Sequence, residues 1–221
     1  MSESISWSAL AAVLLTGYVI GSLPTAYLAA RSRGINIFEV GTGQAGATNV
    51  WREVSARLAF VVFLLDVGKG VGAVLVGRLL GLDGVWLLLP ALTVTMGHWN
   101  SLFTGFRGGD GLSIFCGVAL ALIGAAILVP FAAASAVALG FNSRMSHPTM
   151  LGGMAGYITL VIIAQTSSFG VEPKIVLGLT GLMFGVLVHS IAYHRKINAR
   201  RRATMLAETA SPTEQQSQGN A

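Results

Sequence analysis

Long uncharged apolar blocks, separated by short polar connections, constrain this chain more than any other feature. They recur from residue 7 to residue 193. A bilayer-spanning helix needs about 20 consecutive apolar residues. Within a bilayer every backbone polar group must bond inside the protein, which favours helices. The blocks are continuous rather than alternating, so a transmembrane β-barrel is not expected. Composition agrees: 53% of the 221 residues are hydrophobic and 10% are charged, against about 25% charged in soluble domains. The expected fold is all-α, a polytopic membrane protein.

Seven spans are predicted, near 7–29, 58–80, 85–97, 112–123, 127–140, 149–164 and 175–193. Gly21-Ser22-Leu23-Pro24 interrupts the first, where proline removes a donor and kinks or breaks the helix. The run 112–140 is longer than one span requires and is split near 123–126, with Pro130 in the first turn of the second half. Residues 1–203 form the membrane domain. Residues 204–221 are expected to be a disordered polar tail. The start of the chain lacks a basic segment ahead of its apolar block, so no cleavable signal peptide is expected.

Basic residues fall unevenly about these spans. Arg31, Arg33, Arg52, Arg57, Arg107, Arg144, Arg195, Lys196, Arg200, Arg201 and Arg202 gather on one side, Arg78 and Lys174 on the other. The positive-inside rule makes the first side cytoplasmic, with the N-terminus outside and the C-terminus inside. The net charge of +5 is thus topogenic, and no nucleic-acid partner is expected. Cys116 is the single cysteine and forms no intrachain disulfide.

Four polar stretches then share the cytoplasmic face: 39–52, 98–111, 141–148 and 194–202. The first, EVGTGQAGATNVWR, reads either as a flexible loop or as an anion nest of backbone N–H groups with Arg52 as a guanidinium fork. Phe106–Gly111 precedes the fourth span, where glycines expose N–H groups at the positive end of a helix dipole. Asp66 and Lys69, at i,i+3 within the second span, read as a functional intramembrane pair, a lock inside the bundle, or a snorkelling lysine. His194, Arg195 and Asn198 sit where the last span meets the cytoplasm, amid a basic patch suited to lipid headgroups.

Taken in order, GSLP (21–24), TGQAGATNVWR (42–52), DVGKG (66–70), GHWNSLFTGFRGGDGLSI (97–114), SRMS (143–146) and HRKINAR (194–200) resemble the motifs of the bacterial acyl-phosphate-dependent glycerol-3-phosphate acyltransferases, the PlsY family. The resemblance runs from residue 20 to about 202. It implies a seven-helix protein of the bacterial inner (plasma) membrane with its site facing the cytoplasm. The implied reaction moves a fatty acyl group from acyl phosphate to the 1-hydroxyl of glycerol 3-phosphate, giving lysophosphatidic acid and phosphate, with no metal or coenzyme. Arg52, Ser143 and His194 would be catalytic. Thr42, Gly43, Gly46, Thr48, Asn49, Arg107, Gly108, Gly109, Gly111 and Asn198 would bind substrate, and the acyl chain would lie between helices.

Several positions depart from that pattern. Thr42-Gly43-Gln44 stands for Ser-Gly-Asn, Asn100-Ser101 for Phe-Pro, Asp110 for lysine, Gly140 for arginine and Ile197 for asparagine. Asp110 places a negative charge where a phosphate-facing positive one is expected. Two alternatives therefore stay open: transfer to a less anionic acceptor, and a non-catalytic relative that binds lipid or a partner.

Overall fold

The computed structural model describes residues 6–140, 148–166 and 172–210, and only the backbone at 148–150, 164–166, 198, 200–202 and 204–210. The described chain is helical. Its α-helices are α1 (Trp7–Ser22), α2 (Thr25–Arg31), α3 (Ala47–Glu53), α4 (Ala56–Leu79), α5 (Leu88–Trp99), α6 (Leu112–Ile123), α7 (Leu128–Gly140), α8 (Pro148–Thr166) and α9 (Pro173–Ala210). Among the described residues, four segments are long and apolar enough to cross a membrane: Trp7–Arg31, Ala56–Leu79, Leu112–Gly140 and Pro173–Ile197. Leu151–Ile163 is a shorter apolar helix.

Both predicted interruptions are present. Helix α1 ends at Ser22 and α2 begins at Thr25, leaving Leu23 and Pro24 between them. In the long apolar run, a 3-10 turn at Gly124–Ile127 separates α6 from α7, and Pro130 falls in the first turn of α7. Two helices rather than one follow from length: at 1.5 Å per residue, a straight helix over this run would reach about 43 Å, well beyond a ~30 Å hydrocarbon core. Helix α9 continues to Ala210, past the position where the polar tail is expected to begin.

The main core is formed where α1 meets α5, α4 meets α6 and α9 meets α5 and α6. Small residues let these backbones approach. A side chain at Gly21 would strike the Val94 carbonyl, one at Gly97 the Tyr18 carbonyl, and one at Gly117 the Val67 carbonyl. Such close contacts replace the hydrophobic driving force that helices lack in lipid. Helices α7 and α8 pack along one another, while α6 and α7 diverge beyond their shared turn. A second, smaller cluster, built on Ile37, Val50, Ala59 and Val62, lies beneath residues 39–52. Ile37 and Val50 are fully buried there. The stretch is therefore packed against the bundle and is not a loose loop.

Candidate active site

Asn49 organises the first glycine-rich loop. Its amide nitrogen donates to the carbonyls of Gln44 (3.0 Å), Ile37 (3.1 Å) and Val40 (3.2 Å). Its Oδ1 accepts from the Thr42 backbone N–H at 2.9 Å. A buried carboxamide that bonds on both sides holds turns that have no helix or sheet of their own. These bonds direct Asn49 into the loop rather than outward. Gly43 takes φ 71° in this turn, a left-handed conformation that glycine adopts without penalty. Gly46 precedes α3, Thr48 lies in its first turn, and Arg52 stands exposed in its last.

The second loop is laced to the first. The Ala45 N–H donates to the Gly108 carbonyl at 3.0 Å, and the Gly109 N–H to the His98 carbonyl at 3.2 Å. Side chains at Gly108 or Gly109 would collide with His98, and one at Gly109 also with the Ala45 carbonyl. The Arg107 guanidinium sits 4.2 Å from the centroid of the Phe38 ring and donates to the Phe38 carbonyl at 3.4 Å. This cation–π contact brings Arg107 to the first loop. Gly111 takes φ 92° immediately before α6.

Asp110 makes a local bond. Its Oδ1 accepts from the Leu112 N–H, the first of α6, at 3.1 Å. A carboxylate at a helix N-terminus satisfies an orphan donor and complements the dipole. Among the described residues Asp110 pairs with neither Arg107 nor Lys69; the ion pair there is Asp66–Lys69.

That pair joins α4 to the break after α1. The Lys69 ammonium donates to Asp66 Oδ1 (2.6 Å), to the Leu23 carbonyl (2.6 Å) and to Thr25 Oγ1 (2.9 Å). The Thr25 hydroxyl donates to the same carboxylate oxygen at 2.6 Å. Pro24 has no N–H to continue α1, and at the break the Leu23 carbonyl accepts from both the Thr25 N–H (3.0 Å) and the ammonium. Of the readings open for Asp66 and Lys69, the lock inside the bundle matches these contacts; snorkelling does not, because Lys69 is 6% exposed. Asp66 Oδ2 and the buried Gln44 Nε2 have no hydrogen-bond partner among the described residues.

Helix α9 closes the site. The Tyr193 hydroxyl donates to the Gly43 carbonyl at 2.6 Å, and Ile197 Cδ1 lies 3.5 Å from where a Gly43 Cβ would stand. His194 follows Tyr193 and is half-buried. Ser143 lies outside the described residues, as does the side chain of Asn198. The structure thus gathers Thr42–Asn49, Arg107–Gly111 and the 193–197 stretch of α9. Among the described residues no such contact is shown for Arg52. Motif reading missed Trp99, His189 and Tyr193, although the last two share a helix face at i,i+4.

Two cavities meet these loops. A small one of mixed lining is bounded by Thr25, Ala45, His98, Arg107, Gly108 and Gly109, among others. A larger apolar crevice of ≈ 190 Å³ opens where α6 and α7 diverge. At one end it touches Thr48 and Ser113; elsewhere it is walled by Phe63, Phe131, Ala134, Gly153 and their neighbours.

The sequence model of the glycerol-3-phosphate acyltransferases matches residues 11–203. The chain belongs to this family. Glycerol-3-phosphate acyltransferase 1 of Deinococcus radiodurans is 39% identical over 154 residues, covering 69% of this chain and 77% of the relative. The enzyme of Thermus thermophilus is 40% identical over 152 residues, covering 69% and 76%. Among solved structures, PlsY, an integral membrane glycerol 3-phosphate acyltransferase, in its glycerol 3-phosphate form superposes with a TM-score of 0.69 at 25% identity, over 89% of this chain and 92% of that one. As a member of this family, the chain is an acyltransferase of phospholipid biosynthesis and an integral membrane protein. Asp110 and Ile197 are then departures inside a shared framework, not signs of a different fold.

Proposed function

We propose that the protein transfers a fatty acyl group from acyl phosphate to the 1-hydroxyl of glycerol 3-phosphate, giving lysophosphatidic acid and inorganic phosphate. The observation that carries this reading is an apolar crevice that reaches Thr48 and Ser113, in the first turns of α3 and α6, the helices that follow the two glycine-rich loops. The crevice takes part of an acyl chain, whose phosphate then lies beside the loops. The hydroxyl oxygen bonds to the acyl carbon, the carbon–oxygen bond to phosphate breaks, and the proton leaves on phosphate. Because the donor is already an activated anhydride, alignment and charge stabilisation supply most of the catalysis.

In this reading Thr42, Gly43, Gly46, Thr48, Arg107, Gly108, Gly109, Gly111 and Asn198 hold the phosphate-bearing substrates, with Asn49 holding the loop itself. Arg52, Ser143 and His194 act at the reacting groups. The engagement of Asp110 with the Leu112 N–H favours glycerol 3-phosphate over a less anionic acceptor, because that carboxylate oxygen is turned onto α6. The distribution of arginines supports seven spans, an outside N-terminus, and a site facing the cytoplasm at the bacterial inner membrane.

The test is phosphate release by purified protein in a lipid mesophase with palmitoyl phosphate and glycerol 3-phosphate. Turnover is expected to require both substrates and to fall at least ~100-fold in Arg52→Ala, the scale of removing one preorganised donor from a developing anion. Absence of release at every acceptor concentration overturns the reading.

A further inference from the structure

Three aromatic side chains outside the glycine-rich loops connect both of them. The Trp99 indole, at the end of α5, donates to the Asp110 carbonyl at 2.9 Å. The His189 imidazole lies flat on that indole, with centroids 4.4 Å apart and planes 12° from parallel. One helical turn later, the Tyr193 ring is 6.4 Å from His189 at 38°, and its hydroxyl ends on the Gly43 carbonyl at 2.6 Å. A continuous path thus runs from the carbonyl of Asp110 to that of Gly43 through two stiff side-chain contacts on one face of α9.

The glycines fit this path. A Cβ at Gly111 would stand 2.8 Å from Trp99 Nε1, and one at Gly185 lies 3.8 Å from the far edge of the same indole. Space is therefore kept for the indole on both sides. The two carbonyls it joins belong to the two turns that would hold phosphate.

We propose that Trp99, His189 and Tyr193 form a positioning ladder that fixes the separation of the Gly43 and Asp110 turns and thereby sets affinity for the phosphate-bearing acceptor. The proposal rests on the acyltransferase reading for what is bound, but not for the ladder itself. The three residues are positioning residues: they act on backbone carbonyls of the loops. The acceptor phosphate would be held by both turns at once, so looseness between them should register first in acceptor binding.

Tyr193→Phe removes one hydroxyl and keeps the ring. His189→Phe keeps an aromatic surface on Trp99, whereas His189→Leu removes it. Full-length protein in detergent would be followed by hydrogen exchange over 39–46 and 107–112, and by steady-state kinetics in glycerol 3-phosphate. Tyr193→Phe should speed exchange at 39–46 and raise KM about tenfold, the effect of losing roughly one hydrogen bond, with kcat held within about twofold. His189→Leu should loosen 107–112, and His189→Phe should restore its protection. Unchanged exchange in Tyr193→Phe and His189→Leu overturns the ladder. Faster exchange with unchanged KM overturns its role in acceptor binding. If the parent protein releases no phosphate, the acyltransferase reading falls, and the exchange measurements still decide whether the ladder holds the turns.

Discussion

Around Asn49 the turns are tied by side chains that bond to backbone, whereas α7 and α8 meet through glycine and alanine. At the first region, one carboxamide serves four backbone groups, and Lys69 and Tyr193 bring further donors to carbonyls that no helix satisfies. At the second, Gly152 lies against the Ala134 carbonyl and 2.9 Å from the Ala138 Cβ, and Gly156 is 3.1 Å from the Pro130 carbonyl, measured from a Cβ built on each glycine. The difference follows from what each region has to hold. Phosphate recognition needs backbone groups fixed in direction, which hydrogen bonds supply. A flexible hydrocarbon chain needs room of the right width, which small side chains supply. The polar region should therefore be hurt by removing a group and the apolar one by adding a methyl.

The largest effect is expected at Lys69. Lys69→Met leaves Asp66 charged and unpaired in the bundle and should destabilise by about 3–5 kcal/mol, or roughly 10 °C in thermal unfolding in detergent. The double variant Asp66→Leu/Lys69→Met should recover most of the loss, since the uncompensated charge is gone. No recovery would mean that the contacts to Leu23 and Thr25 matter more than the pair.

Asn49→Ala comes next. It strands the Thr42 N–H and the carbonyls of Ile37 and Gln44, while the Val40 carbonyl keeps the Gly43 N–H; at about 1–3 kcal/mol for each group left without a partner, with water reaching some, a loss of about 3 kcal/mol is expected. Phosphate release should fall more steeply than stability, because the loop loses its shape before the bundle opens. Thermal unfolding and turnover on the same preparation separate the two.

Gly152→Ala sharpens the other half of the comparison. The added methyl presses on the Ala134 backbone and should destabilise by about 1–3 kcal/mol by overpacking. Across a series of acyl phosphates, shortened acyl-chain preference would show that the crevice has narrowed; equal loss for every chain length would place the damage in folding alone.

The smallest effect is at Asp110. Asp110→Ala removes the acceptor for the first N–H of α6 and should cost about 1 kcal/mol, whereas Asp110→Asn keeps an oxygen there and should stay within a few tenths. If Asp110→Asn instead raised affinity for glycerol 3-phosphate severalfold, the carboxylate would be acting on substrate rather than on the helix.

Much of this was legible because membrane folding writes strong signals. Apolar length placed the helices, Pro24 marked the break after α1, and excess length divided α6 from α7. The spacing of Asp66 and Lys69 put them on one face, but not their partner: the Leu23 carbonyl is 46 residues from Lys69. Asn49 lay inside a recognisable motif, yet its inward direction depends on carbonyls at Ile37, Val40 and Gln44 that only the folded loop collects. Trp99, His189 and Tyr193 gave no motif signal, since stacking between α5 and α9 has no local period.

The sequence by itself determined the helical, membrane-embedded character of the chain, its two interruptions and its membership of a family, because each depends on residues close together or on order along the chain. Tertiary structure alone decided that Arg107 lies on Phe38, that the Ala45 N–H meets the Gly108 carbonyl, and that Tyr193 of α9 reaches the Gly43 carbonyl. Those outcomes depend on which backbone groups remain unsatisfied after packing, and such groups exist only once distant segments have met.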